Sequence, residues 1–204
     1  MQRLLLLFSI TAITALTACS RGKKILVYAT SDSDIQVDET QKNITVADGT
    51  THHEKELDFS GGAPVTLNIQ LPSGKFTLQA DDDGLYIVNL KKDTVVGSFQ
   101  HVGADNGQAK ITQDVLKQKV DSLKKLVMGE NVSAAGRNYF VAPDKIVKIS
   151  SETKGKVFGP FVTIPDDFDA ASVPEIYKFY TNKEVREIID NLSKMENVPQ
   201  SGGN

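Results

Sequence analysis

Apolar residues follow three different patterns along the 204-residue chain. An apolar run without charges occupies residues 4–16, and short alternating runs follow from Lys24 to about Val102. Helical spacing begins near Thr112. Alternation with a period of two is typical of strands that bury one face, whereas a period near 3.6 is typical of amphipathic helices. The order predicts an apolar leader, a strand-rich part and a part that mixes helices with strands.

The strand-rich part is clearest between Pro64 and Phe99. Apolar residues alternate there with polar ones, and turn clusters rich in Pro, Gly, Ser and Asp separate the runs. Turn signals at intervals of roughly 8–12 residues are typical of an antiparallel sandwich or barrel. We predict a four-stranded meander over 64–99, inside an antiparallel β-rich domain at residues 24–102. The predicted strands cover residues 25–28, 44–46, 57–59, 65–71, 75–80, 85–90 and 94–99.

A helix is predicted after a Gly-, Asp- and Asn-rich linker at residues 103–111. Thr112 is a suitable N-cap and Gly129 a suitable C-terminal stop. The apolar residues between them fall within about 140° of the helix circumference. The predicted buried stripe consists of Val115, Leu116, Val120, Leu123, Leu126 and Val127.

Strands and two further helices are predicted downstream, within an α+β part at residues 112–196. Ser172–Glu175 and Thr181–Glu184 both fit the S/T-x-x-E capping box, which predicts a helix after each. The predicted strands cover residues 139–141, 145–149 and 158–164. The fold class expected is α+β: an N-terminal antiparallel β-rich, sandwich-like part, then a mixed helix and strand part ending in two helices. Residues 197–204 are predicted to form a disordered tail.

The apolar leader has the features of a secretory signal. Arg3 supplies the preceding positive charge, and about 13 residues from Leu4 to Leu16 suffice for a signal but not for the roughly 20 of a membrane span. Leu16-Thr17-Ala18-Cys19 resembles the lipobox of bacterial lipoproteins. The resemblance implies cleavage after Ala18, which removes residues 1–18. It also implies a diacylglycerol on the Cys19 thiol and acylation of the new amino terminus. The alternative is secretion without lipid, with Cys19 as a free thiol.

The residues after Cys19 bear on the location. Ser20 resembles the sorting residue of outer-membrane lipoproteins, since Asp at that place marks inner-membrane retention in organisms that sort this way. Arg21, Lys23 and Lys24 argue against an acidic export signal, or they merely touch anionic headgroups. We expect residues 19–23 to be a lipid-anchored tether and the protein to lie on the outer membrane, facing the periplasm.

Composition excludes some classes of function. Arg3 is the only charged residue of the leader, so the mature chain has 22 of the 23 basic residues against 26 acidic ones, a net charge of −4 with neutral His. The balance offers no basic face for nucleic acid. Cys19 is the only cysteine, so a lipidated mature chain has none left for disulfides.

Candidate metal sites are weak. His52 and His53 are adjacent, so an extended backbone points them to opposite faces, and a surface loop is the preferred interpretation. The consecutive acids at 81–83 are better explained by a hairpin turn than by a calcium loop. Asp32 and Asp34, with Asp38 and Glu39, form a similar weak group. Asp166, Asp167 and Asp169 precede the predicted Ser172 cap.

Candidate catalytic residues are also absent from the sequence pattern. No G-x-S-x-G elbow occurs, and the third histidine, His101, falls in a polar segment. Gly61-Gly62 and Gly202-Gly203 lack the helix and Lys of a phosphate loop. Tyr177, Phe179 and Tyr180 form either a contact patch or part of the core. We predict no catalytic residues, no cofactor and no metal.

The function expected is that of a membrane-anchored envelope lipoprotein, a binding, scaffolding or assembly module without catalysis. Its partners would be membrane lipid, through acylated Cys19, and a protein of the envelope. The alternatives are a surface-exposed, adhesin-like or substrate-capture lipoprotein, and an envelope hydrolase with a dispersed site.

Replacing Cys19 tests the anchor. Cys19→Ser should abolish incorporation of radiolabelled palmitate and move the protein out of the membrane fraction, because the thiol carries the diacylglycerol. Membrane partition equal to that of the unchanged protein would contradict the lipid anchor.

Overall fold

The computed structural model describes residues 22–100, 113–165, 168 and 175–196. Within these ranges the chain forms twelve strands and two helices. The strands are β1 Gly22–Ser31, β2 Gln36–Asp38, β3 Asn43–Thr45, β4 Thr51–Ser60, β5 Val65–Leu71, β6 Gly74–Ala80, β7 Gly84–Leu90, β8 Val95–Phe99, β9 Asn138–Val141, β10 Lys145–Ser150, β11 Lys156–Phe158 and β12 Ile176–Thr181. The helices are α1 Gln113–Val127 and α2 Asn182–Glu196. The predicted α+β class is confirmed, although the sheets are open and form no clear sandwich.

The central sheet has the strand order β10-β7-β1-β4. Strand β1 pairs antiparallel with β4, from Gly22 opposite Ser60 to Ser31 opposite Thr51, and parallel with β7. Both faces of β1 and β7 are largely buried, which explains their nearly continuous apolar sequences. This sheet therefore needs a covering layer on each side.

A second sheet, β2-β3-β5-β6, covers one face of the central sheet. Val65, Leu67 and Ile69 of β5 pack in one apolar cluster with Ile25 and Val27 of β1. The residues between them on β5 are exposed. The period-two pattern thus builds a half-buried sheet.

A third sheet, β11-β12-β8-β9, covers the opposite face. Leu26 and Tyr28 of β1 pack there with Tyr177 and Phe179 of β12 in a second core. The helices contribute to a smaller cluster with β8, formed by the buried residues Val96, Leu126 and Val185. The layers follow the order second sheet, central sheet, third sheet, helices.

The four-stranded meander predicted over 64–99 is wrong, although each of its strands exists. Only β5 and β6 pair as a hairpin; β7 lies between β1 and β10, and β8 lies between β9 and β12. Alternation identifies a strand and its buried face but does not identify its partner. The two predicted parts, 24–102 and 112–196, also share sheets. Gly22 and Lys23, predicted as the end of the tether, already belong to β1.

The helix predicted after Ser172 is also wrong. Residues 176–181 form the strand β12. Their sequence, Ile-Tyr-Lys-Phe-Tyr-Thr, is rich in aromatic and β-branched residues, which favour a buried strand more than the local capping signal favours a helix. The described chain therefore ends in one helix, α2. The predicted strand 158–164 stops at Phe158, since Pro160 has no amide hydrogen for a ladder. The linker at 103–111, Ser172 and the tail lie outside the described residues.

Two helix-end signals are confirmed. The Thr181 hydroxyl accepts a hydrogen bond from the Glu184 N–H at 3.2 Å, and the Glu184 carboxylate accepts one from the Thr181 N–H at 2.7 Å. Gly129 follows α1 with φ 74°, the left-handed conformation of a helix stop. Among the described residues, no helix has the length and apolarity that crossing a membrane requires.

Adding a methyl group at Gly97 tests the second core. A β-carbon there would lie 2.4 Å from the Phe179 ring, so Gly97→Ala should destabilise the fold by about 1–3 kcal/mol. Thermal unfolding followed by circular dichroism should show a drop of roughly 2–4 °C per kcal/mol. Gly62→Ala is the matched control, because the nearest atom to its β-carbon is 3.8 Å away. Equal melting temperatures for both variants would contradict this packing.

Candidate functional site

Charged side chains from several elements converge near the Ser31 end of the central sheet. They surround an aromatic residue in the connection that follows β11. We name this group the Phe161 cluster, and its members are His52 and Glu54 of β4, Lys91 after β7, Phe161, Lys178 of β12 and Glu184 of α2.

Strand β4 places His52 and Glu54 on the same face, two residues apart. His52 Nε2 lies 2.9 Å from the Glu54 carboxylate, and His52 Nδ1 lies 2.9 Å from Lys91 Nζ. A charged ammonium can only donate, so in the neutral ring Nδ1 accepts from Lys91 and Nε2–H donates to Glu54. The three side chains form a continuous hydrogen-bonded chain.

The Glu54 carboxylate lies close to the backbone of Gly159. A β-carbon at position 159 would lie 1.8 Å from Glu54 Oε1, so this carboxylate position requires glycine. The Gly159 carbonyl accepts a hydrogen bond from Lys178 Nζ at 2.6 Å, and Lys178 Nζ also donates to the Phe179 carbonyl at 2.7 Å. The start of the connection is thereby bonded to β12 and lies against Glu54 of β4.

Phe161 is held in an unusual conformation and is exposed. Its φ of 64° is left-handed, which costs an aromatic residue on the order of 1–3 kcal/mol. Its N–H donates to the Glu184 carboxylate at 2.7 Å, and its ring centroid lies 5.4 Å from that of His52. Phe161 is nevertheless 60% exposed, and Val162 beside it is 42% exposed. Together they form an apolar projection, which we call the Phe161 knob.

Burial lowers the pKa of both lysines of the cluster. Desolvation is the main cause at Lys91 and at Lys178, and it is opposed by the carboxylates of Glu184 and Glu54. Lys178 Nζ also lies 4.2 Å from the centroid of the Tyr180 ring. Both lysines are thus largely removed from water, and their amines bind groups inside the fold.

The hydroxyl of Tyr28 lies buried beneath the cluster. The Tyr28 ring is 5.9 Å from the His52 ring, and its hydroxyl has no hydrogen-bond partner among the described residues. Burial, followed by the charge of Glu54, raises the pKa of Tyr28 well above its ordinary value. An unsatisfied buried hydroxyl costs about 1–3 kcal/mol.

A cleft of ≈ 370 Å³ opens beside the Phe161 knob. The Lys178 amine and the Glu184 carboxylate at its wall already bind backbone groups of the fold. The cleft thus offers mainly apolar contact rather than an open ion-binding pocket. Its lining consists of Phe161, Val162, Thr163, Ile164, Lys178, Tyr180 and Glu184.

A second polar network lies near the opposite end of the sheets. The Arg137 guanidinium stacks 3.6 Å from the Phe99 ring centroid and donates to Glu175 at 2.5 Å and to the Tyr177 hydroxyl at 2.6 Å. Glu175 accepts further hydrogen bonds from the Ser150 and Tyr177 hydroxyls. These bonds join the starts of β9 and β12 to the end of β10, so the network has a structural role.

The surface loop predicted at His52 and His53 is wrong, because both residues belong to β4. Their predicted opposite orientations are confirmed by their partners. His52 binds Glu54 and Lys91, whereas His53 Nδ1 lies 3.2 Å from the Asp34 carboxylate.

The acidic groups that the sequence singled out bind partners within the fold. Asp83 lies 3.5 Å from Lys23 Nζ and Asp82 lies 3.8 Å from Lys148 Nζ, in a connection that links two sheets instead of forming the predicted hairpin. Asp32 accepts a hydrogen bond at 2.8 Å from the backbone N–H of Thr50, the residue before β4. In the part of the chain that the structure describes, no three His, Cys, Asp or Glu residues are placed to hold a metal ion.

Other predicted sites fall outside the described residues. These are the lipidation site Cys19, the cleavage site Ala18, His101, and the acids Asp166, Asp167 and Asp169. The core position of Tyr177 and Phe179 is confirmed.

Sequence reasoning missed most of the Phe161 cluster. Lys91 was interpretable only as part of a turn, and Glu184 only as a cap. A usable signal was the apolar run between Pro160 and Pro165, since flanking prolines disfavour a strand and leave Phe161 in a loop.

Compared with known proteins, the chain matches no family model, no curated protein and no solved structure.

Alkaline titration tests the burial of the tyrosine side chains. The pKa of each of the five tyrosines is raised, mainly by burial, and that of Tyr139 reaches about 12. A raised folded-state pKa contributes stability that is complete below about pH 10 and is lost as the pH rises through the folded value. Little tyrosinate absorbance should therefore develop near pH 10, followed by a steep rise on unfolding.

The same protein in urea is the control and should titrate near the ordinary pKa of about 10. The pKa values of Lys91 and Lys178 are lowered, so the free energy of unfolding rises as these amines lose their protons. This rise is complete once the pH exceeds the ordinary pKa of lysine. Half-ionised tyrosine in the folded protein near pH 10 would contradict the assignment.

Proposed function

We propose that this chain is a bacterial envelope lipoprotein that binds a protein partner through the Phe161 knob and performs no catalysis. Acylated Cys19 holds it on the outer membrane, facing the periplasm. The observation that supports binding is the exposure of an aromatic ring on a backbone conformation that the fold maintains at a cost.

The knob is suited to binding because it is preorganised. The Phe161 N–H is fixed by Glu184, and the carbonyl of Gly159, two residues earlier, is fixed by Lys178. A rigid ring loses little conformational entropy when a partner covers it. Aromatic residues of this kind are common among the few that dominate interface energies.

The charged residues around the knob favour a supporting role over a catalytic one. Both nitrogens of His52 are engaged, one by Glu54 and one by Lys91. Lys91 is 7% exposed and Lys178 is 5% exposed, and each amine already binds a group of the fold. The Lys91–His52–Glu54 chain is also the one observation that favours the second candidate, an envelope hydrolase.

Site-specific photocrosslinking tests the proposed binding. A photoreactive phenylalanine analogue at Val162, introduced in cells with the lipid anchor intact, should give a discrete adduct with one envelope protein. The same analogue at Met128, which is 70% exposed at the end of α1, is the matched control and should not give that adduct.

Truncating the ring should then weaken the interaction. For the partner identified by the adduct, Phe161→Ala should reduce affinity by roughly 30-fold, the effect of losing a central aromatic contact of about 2 kcal/mol. Met128→Ala should leave the affinity unchanged. Equal effects of both variants, or adducts at both positions, would contradict the knob as the binding surface.

A further inference from the structure

The predicted anchor is very close to the folded domain. Only Ser20 and Arg21 separate Cys19 from Gly22, the first residue of β1. Three residue steps span at most about 11 Å when fully extended. If Cys19 is acylated as proposed above, the Gly22 end of the sheets must therefore lie within about that distance of the acyl attachment.

Lys23 fixes this end of the molecule. Its side chain is fully buried, and Nζ donates to the Ala63 carbonyl at 2.9 Å and lies 3.5 Å from Asp83. The connections after β4 and after β6 thus meet beside the first strand residues. Lys24 is likewise engaged, at 2.7 Å from Glu56. Burial therefore keeps Lys23 from contact with anionic headgroups, whereas the ion pair of Lys24 with Glu56 is partly exposed.

The connections after β4 and after β6 form a polar surface of mainly small and acidic residues at this end. Ser60, Gly61, Gly62 and Ala63 are exposed, and Asp82 forms an ion pair with Lys148. The exposed large apolar residues of the described chain, Phe161 and Val162 among them, do not occur in these connections. Such a surface suits contact with polar headgroups and does not suit insertion among acyl chains.

We propose that the Gly22 end of the sheets rests on phospholipid headgroups, through polar contacts that do not require anionic lipid. This inference depends on the lipid anchor of the proposed function. It places the Phe161 knob at the far end of the fold, because His52 pairs with Thr30 near the other end of β1. Ten strand residues rise about 30 Å, so the knob points away from the membrane surface.

Fluorescence quenching can measure this orientation. The acylated full-length protein has no free thiol, so Ser60→Cys and Ser73→Cys each provide one labelling site. Ser60 lies opposite Gly22. Ser73 lies in the turn between β5 and β6 and lines a cleft with Thr30 and Lys91, which places it at the knob end. Each labelled variant is reconstituted in phosphatidylcholine vesicles that carry a headgroup-linked quencher, with and without phosphatidylglycerol.

The fluorophore at position 60 should be quenched several-fold more strongly than the fluorophore at position 73. The ratio of the two quenching values should be the same in both vesicle types. Equal quenching of acylated protein would overturn the orientation while the lipid anchor stands. A difference that appears only with phosphatidylglycerol would overturn the claim that anionic lipid is not required. Mass spectrometry of the same samples is the separate check, since absence of an acyl group would overturn the anchor itself and the inference with it.

Discussion

The rest of the structure depends on the burial of β1 and β7 on both faces. In β1, Ile25 and Val27 enter an aliphatic core against the second sheet, whereas Leu26 and Tyr28 enter an aromatic core against the third. A register slip of one residue would exchange every side chain between two cores of different shape. The two covering layers therefore fix the register of the central strands, and the central strands in turn fix how far apart those layers lie.

Much of the local structure was predictable from sequence, but the pairing was not. Val65–Leu71 is recognisable as a strand because its alternation reflects burial on one face, and the Thr181–Glu184 cap is recognisable because its bonds join near neighbours. The partner of β7 depends on β1, about sixty residues earlier, so no local pattern encodes it. Strand β12 also shows that a local capping signal does not produce a helix where aromatic residues such as Phe179 can pack into a core as part of a strand.

The candidate site was harder to predict for the same reason. Lys91 and His52 are 39 residues apart, and Phe161 and Glu184 are 23 apart, so each pair exists only in the folded chain. Each residue also has an ordinary local interpretation as part of a turn, a strand or a cap. Their convergence is a product of layer packing, which brings the connection after β11 across the edge strand β4.

The position of β1 determines how the molecule responds to force. With the proposed anchor at Cys19, a pull on the chain would enter the fold at Gly22 and run along β1, which is paired on both sides. If a partner bound at the Phe161 knob resisted this pull, the hydrogen bonds of β1 to β4 and to β7 would be loaded together in shear. An edge strand such as β10 would instead peel one pair at a time. If the proposed anchor and partner exist, tension between them would act on a central strand that is paired along its length on both sides, a geometry that suits a mechanical link.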